Sequence, residues 1–313
     1  MKTGTKPYDI IGDIHGHADT LRALLTQLGY VERDGAYSHP ERTAIFIGDF
    51  IDRGPKIRET LAIVKAMTGA GTALAVMGNH EYNAICYHTP DSDGGYYRPH
   101  TEKNFGQHKE TLREFEGRAD EWAAYLKWFE TLPLFLDLGG LRVVHACWDT
   151  AAIMALGGVN SYDAGLLAPP DANKDPRHAA LNILIKGPEV LTPRGEVYDG
   201  GRNDMRVKWW LNDELVTYRN AALQVPFELP DAPIPGAETK KVCGYAPDAP
   251  PVLFGHYGFL KPAEPITPNV ACIDLGVTRG GPLCAYRWDG ERVLDPIKFV
   301  CSSAQADMMP PNK

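Results

Sequence analysis

The chain has 313 residues, 44% hydrophobic and 23% charged, enough for one large domain or two ordinary ones with a substantial core. Its formal net charge of −8 speaks against a general nucleic-acid coat protein, which would carry a basic face, yet leaves room for a local basic pocket. Met1 to Pro7 is short and polar without the apolar stretch of a signal peptide, and no apolar run has the length of a membrane span. The six cysteines (Cys86, Cys147, Cys243, Cys272, Cys284, Cys301) include no CxxC pair, and several sit inside apolar runs. They read as small buried hydrophobes in a reducing, cytoplasmic setting, not as a disulfide framework.

Along the chain, Tyr8-Asp-Ile-Ile11 is a short apolar strand, and Asp19 to Leu25 carries leucines at helical spacing up to Gly29. Thr43 to Ile47 reads as a second buried strand, Ile57 to Met67 as a helix, and Thr72 to Met77 as a third strand. Strands separated by helices of this length predict a parallel βαβ sheet, whose functional groups gather past the carboxyl ends of the strands. Residues 88 to 110 are polar and rich in Gly, His and Tyr, which predicts an exposed loop. Asp120 to Leu132 reads as an amphipathic helix, and Leu134 to Ala146 as a hairpin turning at Gly139-Gly140. From about 157 to 250 the pattern loosens among many prolines. This stretch is expected to be a long excursion over the active-site rim of a single domain, without a sheet of its own. Strand signals return at Val252 to Phe254, Val270 to Leu275, and a hairpin from Leu283 to Val293 turning at Asp289-Gly290.

The chemistry lies in short polar clusters that directly follow apolar strands: Gly12-Asp-Ile-His-Gly16, Gly48-Asp-Phe-Ile-Asp-Arg-Gly54 and Gly78-Asn-His-Glu81, with His145 and His256 beside later strands. Asp-x-His lets two ligands flank one ion from a single strand end, and a second carboxylate, Asp49, can turn one oxygen to each of two ions. Mixed oxygen and nitrogen donors suit Mn, Fe, Zn or Co better than an all-oxygen Mg or Ca cage. Two such ions about 3.5–4 Å apart can clamp a phosphoryl group and acidify a shared water.

In that order, Asp-x-His, Gly-Asp-x-x-Asp-Arg-Gly and Gly-Asn-His-Glu resemble the calcineurin-like metallophosphoesterase superfamily, and more narrowly its phosphoprotein-phosphatase-like branch. That branch holds serine/threonine phosphatases and symmetrical diadenosine tetraphosphate hydrolases. Leu132-Pro-Leu before His145, and Ile273-Asp-Leu-Gly276 with Gly280-Gly-Pro-Leu283, add to the resemblance, which covers about residues 8 to 146 and 252 to 288. It implies a four-layer α/β/β/α sandwich. Asp13 and His15 would hold the first metal, Asp49 would bridge, and Asn79, His145 and His256 would complete the second. His80 would be the general acid, oriented by Asp52, and Arg53 would grip the phosphate in a bidentate manner. Gly258 stands where the wider superfamily often has a last histidine, and Leu275 where the branch often has threonine. The second phosphate-binding arginine is assigned to Arg202 or Arg206.

The implied activity is hydrolysis by metal-activated hydroxide without a covalent intermediate, first as a phosphomonoesterase of the protein-phosphatase-like kind. The alternative is a dinucleoside polyphosphate or other nucleotide hydrolase, and beyond that a non-catalytic metal-binding scaffold. The partner is then a phosphorylated substrate, a phosphoprotein or a nucleotide, with no membrane. His17, His39, His88, His100, His108 and His178 are expected on the solvated surface, with His17 and His88 as candidates for substrate contact. Trp209-Trp210 is expected to pack the excursion onto the sandwich.

Overall fold

A computed structural model describes residues 7–157, 160–167, 175–193, 195–197, 201 and 203–302. The first apolar run forms β1 (Tyr8–Ile11), and the leucines after it form α1 (Ala18–Gln27), burying Leu21, Leu24 and Leu25 on one side. A hairpin of β2 (Val31–Arg33) and β3 (Ala36–Ser38), too short to show a period, leads into β4 (Thr43–Phe46). α2 (Ile57–Gly69) returns the chain to β5 (Ala73–Ala75), and β1, β4 and β5 run parallel as such crossovers require. α3 (Asn79–His88) begins inside the Gly-Asn-His-Glu cluster.

The stretch 88–110 is not the exposed loop its polarity predicts. Its second half enters α4 (Glu102–Glu114), capped by the Thr101 hydroxyl accepting from Asn104 N. α4 buries only His108 and Thr111, so its sequence shows hardly any apolar stripe. α5 (Ala119–Phe129) and the hairpin of β6 (Phe135–Asp137) with β7 (Arg142–Val144) form as expected.

The excursion departs from expectation. After α6 (Thr150–Ala155) and α7 (Pro176–Lys186), β8 (Glu189–Leu191) pairs antiparallel with β9 (Asp204–Arg206), a small sheet of its own. Three-residue strands are too short for alternation to show. They cover a local apolar cluster that includes Val190, Met205, Tyr218 and Ile234. Trp209 and Trp210 pack on Phe254 in the main core, with ring centroids 5.1 and 5.4 Å away, which ties the excursion to the sandwich.

The chain closes with β10 (Val252–Phe254), β11 (Val270–Cys272), β12 (Cys284–Trp288) and β13 (Phe299–Cys301). β12 turns at Asp289-Gly290, but residues 291–293 do not pair back. Glu291 instead accepts from Tyr286 OH and Asp289 N and, through its carbonyl, from Trp288 Nε1, so the partner strand starts only at Phe299. Cys284 and Cys301 face each other in that pair and are joined as a disulfide, which corrects the expectation of six unpaired cysteines. The other four are free.

Two sheets result, ordered β13-β12-β1-β4-β5 and β11-β10-β7-β6. Strand alternation divides their residues. Ile10, Ile45, Val143 and Leu253 meet between the sheets, while Ile11, Phe46, Val144 and Phe254 face outward to the helices. This is the expected four-layer α/β/β/α sandwich. Among the described residues no helix is long and apolar enough to cross a membrane. Because Leu253 is fully buried in the layer between the sheets, Leu253→Ala is expected to lower unfolding stability by about 2–5 kcal/mol, read from urea denaturation.

Candidate metal centre and active site

The proposed ligands follow strand ends, and three of them, His15, Asp49 and His256, sit on tight left-handed bends. Seven described non-glycine residues have positive φ, and His15, Asp49, Asp52, Arg53 and His256 are five of them. Such backbone is held only where its surroundings over-determine it. Glu81 does much of the holding: its carboxylate accepts from Asp49 N and Phe50 N, both at 2.8 Å, and from Gly78 N at 3.0 Å. The sequence offered Glu81 only as the last letter of a motif. Its place in the first turn of α3, where a carboxylate can reach back to the preceding N–H, was the available signal. Gly255 is needed for close approach, because a Cβ there would strike the Asp13 carboxylate and Ile47.

Around Asp49 the ligand atoms converge. Oδ1 lies 3.4 Å from His145 Nε2, and Oδ2 lies 3.5 Å from His15 Nε2 and 3.9 Å from His80 Nε2. Two groups of ligand-capable atoms, His15-Asp49-His80 and Asp49-His145-His256, share Asp49, and within each the atoms lie within 4.8 Å of one another. Asn79 Oδ1 joins the second group, 3.1 Å from His145 Nε2 and 2.7 Å from His256 Nδ1. Asp13 lies beside them, its Oδ2 accepting from His256 N at 3.1 Å.

The donors fit metal ions. Asp13 Oδ1 and His256 Nε2 are buried with no hydrogen-bond partner, as a site shaped for cations requires. The charges are unbalanced in the same sense. Burial, then the nearby Asp274, push the Asp13 carboxyl well above the usual carboxylate range. Burial and the His80 charge lower His15 to about 3. Burial alone would also lower His145, but the Asp49 carboxylate raises it to about 10. Ligation needs neutral imidazole, so an ion bound here would displace that proton.

Beside this centre, His80 Nδ1 lies 2.5 Å from Asp52 Oδ2, which leaves Nε2 facing Asp49 and Arg53 Nη2 (3.3 Å). The other Asp52 oxygen is held by His108 Nδ1 at 2.7 Å and the Thr111 hydroxyl at 2.5 Å, both from α4. Burial would raise Asp52, but hydrogen bonds from His108 and His80 hold it well below the usual carboxylate range. His108 is therefore not a surface histidine; it is 4% exposed and braces the dyad. His88 lies behind it, Nε2 to Nε2 at 3.3 Å, and neither His88 nor His17 lines the cleft. The i, i+3 spacing of His108 and Thr111 on a capped helix was the one signal for this pair.

A family model described as calcineurin-like phosphoesterase matches residues 6–220. The chain belongs to that family. It is 46% identical over 74 residues to the bis(5'-nucleosyl)-tetraphosphatase PrpE [asymmetrical] of Halalkalibacterium halodurans, a match covering 23% of this chain and 30% of that one. The corresponding Bacillus subtilis protein is 34% identical over 142 residues, covering 44% of this chain and 57% of its own. The chain thus spans between about a third and under two thirds of the length of these relatives. A solved serine/threonine phosphatase from Saccharomyces cerevisiae shares the fold at a TM-score of 0.52, with 16% identity over 99% of this chain and 83% of that one.

Within this calcineurin-like phosphoesterase the metal centre opens into a cleft of about 900 Å³. Seven basic side chains line it, Arg53, Arg98, Lys186 and Arg206 among them, against the carboxylates of Asp49, Glu189 and Asp274. In a chain of net charge −8 the cleft inverts the local sign. Arg206 enters from β9, its guanidinium 5.7 Å from the Tyr257 ring and its Nε 3.9 Å from Glu189 Oε1. Arg202 and Arg194 lie outside the described residues, and Lys208 turns away to the Asn220 carbonyl. Trp148 and Tyr257 are buried core residues, although Tyr257 also shows one edge to the cleft.

Because both ligand groups share Asp49, Asp49→Asn is expected to lose both ions together. Elemental analysis of the metal-loaded variant would show well below one ion per chain, and two retained ions would remove Asp49 from the bridging position.

Proposed function

We propose that this chain is a binuclear metal-dependent phosphoesterase, foremost a phosphomonoesterase of the protein-phosphatase-like type. The observation that carries the reading is Asp49 set between two ligand groups, with the His80–Asp52 pair facing the same point. Asp13, His15 and Asp49 would hold a first ion, and Asp49, Asn79, His145 and His256 a second. The nitrogen and oxygen donors favour manganese, with iron, zinc or cobalt as substitutes. When bound, the ions supply a polarised water as nucleophile and neutralise phosphoryl oxygens.

The chain's own groups do the rest. Arg53 presents its fork to the phosphoryl oxygens, and Arg206, which lines the same cleft, is its partner. Asp52 fixes the proton on His80 Nδ1, so Nε2 is the atom that hands a proton to the leaving oxygen. The Arg53 cation 3.3 Å from Nε2 makes that nitrogen a poor place for a metal ion. Retention of this pair and of Arg53 weighs against a scaffold, which needs neither. The second reading, a dinucleoside polyphosphate or other nucleotide hydrolase, is supported by the names of the bacterial relatives and by the basic cleft. The cytoplasmic setting rests on Cys86, Cys147, Cys243 and Cys272 alone.

With manganese, the protein is expected to hydrolyse p-nitrophenyl phosphate, and inactivity on every phosphate ester and anhydride of a broad panel would overturn the reading. His80→Asn should keep both ions while slowing alkyl phosphate turnover by about 10²–10⁴-fold. The loss should be smaller for p-nitrophenyl phosphate, whose leaving group needs little protonation; equal losses would exclude the acid role. Arg206→Ala should lower kcat/KM by about tenfold or more, about 1.4 kcal/mol of lost charge-assisted bonding. Wild-type efficiency in that variant would leave Arg53 without this partner.

A further inference from the structure

Two of the four free cysteines meet across the boundary between the sandwich and the excursion. Cys147 lies just past the end of β7 and is fully buried. Its N–H and that of Ala146 both donate to the Leu184 carbonyl of α7, at 3.3 and 2.9 Å, which pins this backbone. Cys243 lies 96 residues further on, in the excursion, and is exposed. The two sulfurs are 4.0 Å apart. Cys243 Sγ also faces the Trp209 carbonyl at 3.5 Å and the Trp148 carbonyl at 3.9 Å, so the thiol is turned toward its partner. Cys86 and Cys272 are buried, which leaves Cys243 as the free thiol that a water-borne reagent meets first. The reading of the unpaired cysteines as small buried hydrophobes fails at this position.

We propose that Cys147 and Cys243 are an oxidative modification site, a dithiol that hydrogen peroxide closes to a disulfide and that then fastens one wall of the cleft to the sandwich. The proposal is independent of the hydrolytic reading above. A disulfide holds its sulfurs at about 2.05 Å, so about 2 Å of the present separation has to close. Cys147 is enclosed by the core, whereas Cys243 is exposed and free to change its side-chain rotamer, so Cys243 makes the movement. An accessible sulfur with a second thiol within reach is the arrangement of a reversible redox cysteine; without that second thiol, oxidation runs on to irreversible acids.

In the first step the Cys243 sulfur bonds to one peroxide oxygen and the O–O bond breaks, which leaves a sulfenic acid and releases water. The Cys147 sulfur then bonds to the Cys243 sulfur. The S–O bond breaks, and the departing hydroxyl leaves with the Cys147 proton as a second water. Two thiols have given two electrons to one peroxide. The new bond would join parts that are now held only by packing and weak contacts. Lys241 Nζ donates to the Glu189 carbonyl of β8 at 2.9 Å, and Gly244 N to the Trp209 carbonyl at 2.7 Å, so Cys243 is tied to the excursion on both sides. β8 pairs with β9, and Glu189 and Arg206 of that pair line the cleft. A link from Cys243 to Cys147 would anchor this wall beside the end of β7 and leave the backbone of His145 where it is.

The test treats the purified full chain with hydrogen peroxide after mild reduction, blocks the remaining thiols, and maps the linked peptides by mass spectrometry without reductant. The wild type is expected to yield a Cys147–Cys243 peptide pair that dithiothreitol reverses, with two free thiols lost per chain. Its thermal midpoint should rise by at least about 3 °C on oxidation, because the bond closes a long loop of the unfolded chain. Cys243→Ser, a change at an exposed position that leaves the core intact, should lose no thiol at the same dose and show no rise. Cys147→Ala should instead carry Cys243 as a sulfenic acid that dimedone traps. Dimedone labelling of Cys243 in the wild type to the same extent, with no linked peptide, overturns the proposal. A link from Cys243 to another cysteine or to a second chain overturns it as well. Metal content by elemental analysis should be equal before and after oxidation; ions lost on closure would mean that the His145 end moves in place of the wall, and an unchanged midpoint in the linked protein would mean that nothing is fastened. Either result defeats the inference even where the disulfide forms.

Discussion

A buried carboxylate with imidazoles on both sides constrains the whole molecule. Asp49 has His145, His15 and His80 within 4 Å, and burial, which alone would raise it, is outweighed by the charges of His145 and His80 that hold it ionised. That arrangement is costly unless cations or protons share the space, and it demands a backbone that no regular element provides. The left-handed bends at His15, Asp49, Asp52, Arg53 and His256 follow from it. So does Glu81, whose carboxylate gathers three backbone donors to keep those bends closed. The sandwich around them is the rigid frame that such strain needs.

Outside that shell the charge reverses. The centre is rich in acids and imidazoles, the walls in guanidinium and ammonium groups. A dianion approaching such walls would meet attraction before it reached the centre. Arg53 and Arg206, proposed above as the phosphate clamp, are among these cations. The acidic remainder of the chain keeps the attraction local, since fields from its far surface are screened within about 10 Å at ordinary salt.

What could be read from the residues has a common physical property: it is local. Asp13, His15, Asp49, Asn79 and His80 each follow an apolar run directly, so strand end and ligand lie in one short window. The alternation at Ile10-Ile11 and Leu253-Phe254 likewise carries both faces of a sheet in adjacent letters. What was missed depends on partners far along the chain. Asp52 meets His108 across 56 positions, and α4 shows little apolar face because what it buries is a histidine and a threonine. β12 finds its partner past a turn that Glu291 closes on itself. The small sheet of β8 and β9 is built from strands shorter than two periods of any pattern.

The division of the ligands between the two sheets has a mechanical meaning. Asp13, Asp49 and Asn79 lie past β1, β4 and β5 of one sheet; His145 and His256 lie past β7 and β10 of the other. The proposed metal centre would therefore sit across the mouth of the seam, like an object held in a calliper whose screw is the filling of Ile10, Ile45, Val143 and Leu253 behind it. The spacing of the jaws is set by the bulk of hydrocarbon at the hinge. A methylene added or removed there is expected to alter the gauge of a polar site it never touches, which would make the apolar interior part of the measuring instrument.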